Sequence, residues 1–169
     1  MTPEQMKGKK IRVMQSDTMI KMLDCMGGTG VPMGQGEVYS SIQQGMLDGA
    51  ENNEITYADL KQYEVAPFFS YTRHVMVADL MVASENLLAS MDAKDQETFR
   101  TLAKASTEVE FDMWGKALDV AKKTATDNGA TFTEVDIKPF QERCQPLQQT
   151  LMTTPEQQDV YQKIRSLAG

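Results

Sequence analysis

Arg12 stands between Ile11 and Val13 in the alternating run Lys10-Ile11-Arg12-Val13-Met14-Gln15. An arginine inside a strand is costly to bury unless it is paired. At the end of a strand its planar fork suits bidentate binding of a carboxylate. The plain alternative is an edge-strand arginine paired with a glutamate. Three side-chain amides fall near expected strand ends: Gln15, Gln35 and Asn52. The last lies in the polar stretch Gly49-Ala50-Glu51-Asn52-Asn53-Glu54. An amide donates and accepts, as orienting a ligand with carboxylate and hydroxyl groups requires. Turn formation is the competing role for Asn52. Arg12, Gln15, Gln35 and Asn52 are the candidate ligand-binding set.

Other chemistries find less support. His74 has Arg73 beside it but no serine or cysteine in a nucleophile motif, and it reads as structural. Gly34-Gln35-Gly36 lacks the further glycines and the lysine of a phosphate loop. Cys25, Cys144 and the single histidine have no metal-ligand spacing. No catalytic residue, metal or cofactor is expected, and the chain reads as not an enzyme. The two thiols are either free and buried or joined in one long-range disulfide, the latter in an exported protein. A formal net charge of −7 argues against nucleic acid and anionic membrane as partners. An anionic ligand must therefore be held by a local positive site.

The hydrophobic fraction of 41% and charged fraction of 24% are those of an ordinary globular protein. No apolar run approaches the roughly 20 residues that span a bilayer. The start, Met1-Thr2-Pro3-Glu4-Gln5, has neither the basic nor the apolar region of a leader. A leader is therefore expected to be absent from this chain.

The elements that must position these side chains follow from local signals. Thr2-Pro3-Glu4-Gln5 and Thr154-Pro155-Glu156-Gln157 each read as a capped helix start. A strand over 10–15 precedes a helix from Ser16 or Asp17 to Cys25 or Met26, stopped by Gly27-Gly28. Thr29 to Met33 returns as a strand, Glu37 opens a helix through Val38, Ile42 and Met46, and Ala50 to Asn53 is a short strand or loop. This alternation predicts an α/β sheet with parallel connections. Its ligands belong in the crevice at the carboxyl ends of the strands. Tyr57 to Tyr63 reads as helix and Tyr71 to Ala83 as a long strand crossing between two lobes. Ser84 caps a short helix to Met91. Helical period then runs from Ala93 to Asn128, apolar on one face early and on two faces late, so this helix is expected to touch two bodies. Thr131 to Val135 reads as a strand. Ile137 to Cys144 reads as a helix broken or kinked at Pro146, and the chain ends in a helix.

The order of several segments carries a resemblance. Lys7-Gly8-Lys9-Lys10-Ile11-Arg12-Val13 is followed by Val31-Pro32-Met33-Gly34-Gln35-Gly36-Glu37-Val38-Tyr39. Gln43-Gln44-Gly45-Met46-Leu47-Asp48-Gly49-Ala50-Glu51-Asn52-Asn53 and Tyr63-Glu64-Val65 come next. Together these resemble the solute-binding proteins of tripartite ATP-independent periplasmic (TRAP) transporters, the C4-dicarboxylate-binding family, over about the C-terminal half of the family's length. The resemblance implies part of a two-lobed periplasmic-binding-protein-like α/β fold with a hinge and a long lobe-spanning helix.

The same resemblance implies roles and partners. It places the carboxylate-pairing arginine on Arg12, an amide on Gln15 and the orienting asparagine on Asn52. Gln35 stands where the family often has an aromatic residue, which implies a more polar pocket open to a sugar acid as well as a C4-dicarboxylate. Membrane permease subunits would be the partners and the periplasm the location. The expected division is a ligand-binding lobe over 1–77, a crossing strand and first part of the long helix over 78–117, a return to the binding lobe over 118–145, and a C-terminal helical segment over 146–169. A homo-oligomer is expected of such a half. The alternative is a truncated, self-associating fragment with no solute binding of its own.

Overall fold

A computed structural model describes residues 1–167. Ala168 and Gly169, the end of the expected C-terminal segment, lie outside the described residues. The chain opens on a single 3-10 turn, Glu4–Met6. Its start is closed reciprocally: the Thr2 N–H donates to Gln5 Oε1 at 2.9 Å, and the Gln5 N–H donates to Thr2 Oγ1 at 3.4 Å.

Strand β1 (Lys10–Val13), helix α1 (Asp17–Met26) and strand β2 (Thr29–Pro32) then form one parallel unit. Two glycines permit it. Gly27 ends α1 at φ 107°, where a side chain would also meet the Pro3 carbonyl oxygen. At Gly30 a Cβ would lie 2.9 Å from the Ile20 Cα, so β2 and α1 pack backbone to backbone. Helix α2 (Val38–Gln43) leads to the two-residue strand β3 (Gly49–Ala50), which pairs parallel to β1. The first sheet has the order β2-β1-β3.

Helix α3 (Glu54–Asp59) is capped by Asn53, whose side chain accepts from the Thr56 N–H. Strand β4 (Phe68–Tyr71) pairs parallel to β5 (Thr131–Glu134) in a second sheet of two strands. Between them run the short helix α4 (Glu85–Ala89) and the long helix α5 (Ala93–Asp127), capped by Ser84 and Asp92. Helices α6 (Lys138–Leu151) and α7 (Pro155–Leu167) complete the chain. The Thr154 start is closed like the first, with Gln157 and Thr154 exchanging hydrogen bonds.

The parallel α/β body and the long helix agree with the sequence. Three expectations are corrected. The strand of 71–83 is only Phe68–Tyr71; residues 73–83 have strand composition but no ladder partner among the described residues. The helix over Tyr57–Tyr63 starts and ends earlier, with a 3-10 turn at Gln62–Glu64 entered through Lys61 at φ 51°. Helix α6 runs through Pro146, which forgoes a helical N–H donor without ending the helix. Along helix α5, Ala121 and Ala125 are buried at α3, while none of residues 93–116 is buried among the described residues. The open choice at Cys25 and Cys144 resolves into a disulfide with Cα atoms 5.2 Å apart, joining α1 to α6.

Two cores result. Met6, Val13, Met19, Leu23, Met26 and Phe140 pack around the disulfide. Tyr57, Tyr63, Ala125 and Ala130 pack with Phe69 and Phe132.

Candidate functional site

The loops after β1, β2 and β3 leave the same edge of a parallel sheet, because parallel strands present their carboxyl ends together. Arg12, the third residue of β1, is only 5% exposed. Its register partners are Val31 of β2 and Ala50 of β3, so it lies on the central strand near that edge. Its Nε–H donates to the Met33 carbonyl at 2.9 Å. Among the described residues this is the guanidinium's hydrogen bond, and the remaining fork has only the Glu51 carboxylate, with Nη1 4.0 Å from Oε1. That distance gives attraction without a direct hydrogen bond.

Glu51 follows β3 directly and serves two partners. Its other oxygen lies 3.8 Å from His74 Nε2, and His74 Nδ1 lies 2.6 Å from Thr72 Oγ1. Both side chains are largely withdrawn from solvent. Arg12, Glu51, His74 and Thr72 therefore form a chain that crosses from the first sheet to the end of β4. An acid between two basic groups offsets the arginine's charge and restricts where its guanidinium can sit. The edge-strand alternative for Arg12 is thus half present: a glutamate neighbour exists, but the fork is not consumed by it.

Gln35 and Asn52 meet. The Asn52 amide donates to Gln35 Oε1 at 3.2 Å, and the Asn53 N–H donates to Asn52 Oδ1 at 3.0 Å. Gln35 Nε2 is buried and has no acceptor. A buried amide donor without a partner is costly and is suited to an added acceptor. Gln15 stands apart. It is exposed, beyond the end of β1, and makes no side-chain hydrogen bond among the described residues. The sequence reading did not single out Glu51 and His74 as neighbours of Arg12. Glu51 lay inside the polar stretch already singled out, and an adjacent acid is the partner a strand arginine demands. Nothing local pointed to His74, because 23 residues separate it from Glu51 in the chain and only the fold joins them.

Arg12 on the central strand and the Gln35–Asn52 pair in the loops after β2 and β3 thus stand at the same carboxyl-end edge of the first sheet. The parallel sheet and the long helix are those of the solute-binding protein fold, as comparison with known proteins shows. The family model of bacterial extracellular solute-binding protein, family 7, matches residues 1–154, and the chain belongs to that family. The protein YiiZ of Salmonella typhimurium is 39% identical over 164 residues, which cover 96% of this chain and 50% of that protein. A TRAP periplasmic solute-binding protein of Xanthobacter autotrophicus Py2, solved with bound β-D-galacturonate, superposes with a TM-score of 0.90 at 32% identity, covering 97% of this chain and 55% of that one. One from Anaerococcus prevotii, solved with D-glucuronate, gives 0.86 at 37%, covering 96% and 54%. The chain thus spans about half the length of the relatives it matches. The family's members are binding proteins, not enzymes. No helix among the described residues is long and apolar enough to cross a membrane.

Proposed function

We propose that this chain supplies the carboxylate-anchoring half of an extracytoplasmic solute site in a TRAP-type transporter. The ligand is a small carboxylate, a sugar acid or a C4-dicarboxylate, delivered to membrane permease subunits from the periplasm. Arg12 pairs with the carboxylate, Asn52 and Gln35 orient the rest of the ligand, and Gln15 closes over it from the loop after β1. Residues 1–77 and 118–145 belong to the binding lobe, 78–117 to the remnant of the other, and 146–169 to a C-terminal helical segment. The observation that carries this reading is the buried, incompletely bonded fork of Arg12 beside the unpaired Gln35 amide. Galacturonate and glucuronate in the similar structures favour the sugar-acid class.

Calorimetric titration of the full-length protein with D-glucuronate, D-galacturonate and succinate tests it. Arg12→Ala should weaken binding by about 2–5 kcal/mol, the usual cost of removing one partner of a buried charge pair. Arg12→Lys should rescue only part, since a point charge cannot reproduce a fork. Unchanged affinity in Arg12→Ala places the anchor elsewhere.

A second reading concerns the chain by itself. Met76, Leu80, Val82 and Phe111 are exposed by about three quarters or more, so the lone half should self-associate as a homo-oligomer. Light scattering showing one monomer mass across concentrations overturns it.

A further inference from the structure

One cavity joins the disulfide to the solute site. It measures about 280 Å³ and is lined by Cys25 of α1, Cys144 of α6, and Thr72, Arg73 and His74, which follow β4. Both cysteines are partly buried at the edge of the first core rather than sealed inside it. Helix α6 is tied to the body at few points. Phe140 is its one buried side chain, and the crosslink follows a turn later at Cys144. Just beyond, Pro146 supplies no N–H, so the hydrogen-bond ladder of α6 is interrupted next to the bond.

The turn at residues 72–74 is strained. Arg73 has φ 47°, a left-handed conformation that a residue with a Cβ keeps only where its surroundings impose it. Its ion pair with Glu134, at 2.9 Å, joins two exposed side chains and adds little hold. The hold therefore falls to the packing around the cavity. His74 comes next in the chain and reaches Glu51 at 3.8 Å, and Glu51 reaches Arg12 at 4.0 Å. Whatever moves this turn changes the company of Arg12.

We propose that the Cys25–Cys144 bond is a redox control on the solute site. Oxidised, it clamps α6 to α1 and keeps the 72–74 turn in place. Reduced, it lets α6 part from α1, the turn relaxes, and His74 withdraws from Glu51. Glu51 then turns its whole charge on Arg12 and competes with the ligand carboxylate. The proposal rests on the reading of Arg12 as the carboxylate anchor. The reductant is a dithiol of the Cys-x-x-Cys class. One of its thiolates attacks a sulfur of the pair and expels the other as a thiolate, and the second thiol of the reductant resolves the mixed disulfide. Two electrons and two protons pass to the chain, which ends with two thiols while the reductant ends with one disulfide.

The test uses the full-length protein, D-glucuronate as ligand and dithiothreitol as the dithiol. Calorimetric titration should show binding weakened by roughly tenfold or more on reduction, with the helical circular dichroism retained. The double variant Cys25→Ser, Cys144→Ser should bind like the reduced protein and no longer respond to dithiothreitol. Glu51→Gln should restore affinity in the reduced protein, because a neutral amide does not compete for Arg12. Hydrogen exchange should quicken at residues 73–75 on reduction and stay unchanged in α3. Equal affinity before and after the bond opens overturns the control and leaves the anchor reading standing. A weakening that Glu51→Gln does not reverse, or a loss of helical signal on reduction, makes the bond a structural tie and overturns the control. A bond that dithiothreitol opens only in denaturant overturns it as well. No binding of D-glucuronate, D-galacturonate or succinate by the oxidised protein overturns both readings.

Discussion

The two cores do the same work by different means. The first is built from thioethers and aliphatic groups, with Met6, Met19 and Met26 around Leu23 and Val13, and a covalent link from α1 to α6 runs beside them. Methionine adapts to irregular space and dictates little geometry, so the link between Cys25 and Cys144 fixes what the packing leaves open. The second core has no link. Tyr57 meets Tyr63, Phe69 and Phe132 edge-on, with ring centroids 6.2, 5.1 and 6.0 Å apart, and two alanines bring α5 close. Ring geometry and small residues specify that body without a crosslink. Arg12 springs from the first body and His74 from the end of β4 in the second. The chain through Glu51 therefore depends on both staying in register.

Replacing both cysteines by serine should separate the two bodies most clearly. The link closes a sequence separation of 119 residues, and losing it should cost about 4–5 kcal/mol by loop entropy. Denaturant unfolding gives the size. Hydrogen exchange should show α1 and β1 losing protection ahead of α3; equal losses mean one cooperative unit. Ala125→Leu makes the reverse cut. Ala125 has no exposed surface at the contact with α3, and overpacking it should cost about 1–3 kcal/mol, with the tyrosine near-ultraviolet signal changing first.

Alkali gives the finest discrimination. Burial pushes the Tyr57 hydroxyl up to about 12, and it donates to the Ala66 carbonyl at 2.8 Å. Burial, helped by a hydrogen bond to Glu54, raises Tyr71 to about 12 as well. The fold thus favours the neutral phenols. Their contribution is complete below the ordinary value of about 10 and is lost as pH rises through about 12. No tyrosine belongs to the first core, so unfolding over that range should begin in the second. Tyr57→Phe should narrow the dependence and cost about 1 kcal/mol at neutral pH.

What could be read from the sequence was what is decided locally. Capping pairs such as Thr2 with Gln5 and Thr154 with Gln157 mark helix starts because the signal lies within one turn. The parallel order of β1 and β2 followed from alternation and a glycine stop at Gly27. Arg12 was singled out because an arginine between two apolar strand residues needs a reason, and it is indeed buried in the central strand. Misses came where distant chain decides the outcome. Residues 73–83 have strand composition, but pairing needs a neighbour that composition cannot show. Pro146 lacks a donor, yet α6 continues around it. His74 earned its place beside Glu51 only through the approach of β4 to β3.

Helix α5 is held at one end. Its last turns are packed on α3 through Ala121 and Ala125, and the stretch over 93–116 stands clear of the core. Those 24 residues form a rod of roughly 36 Å at 1.5 Å per residue. A tilt of about 10° at the alanine seat sweeps its far end through roughly 6 Å over that length. The methyl groups at 121 and 125 are thus the fulcrum of a lever, and one methylene added there is magnified at the distant tip.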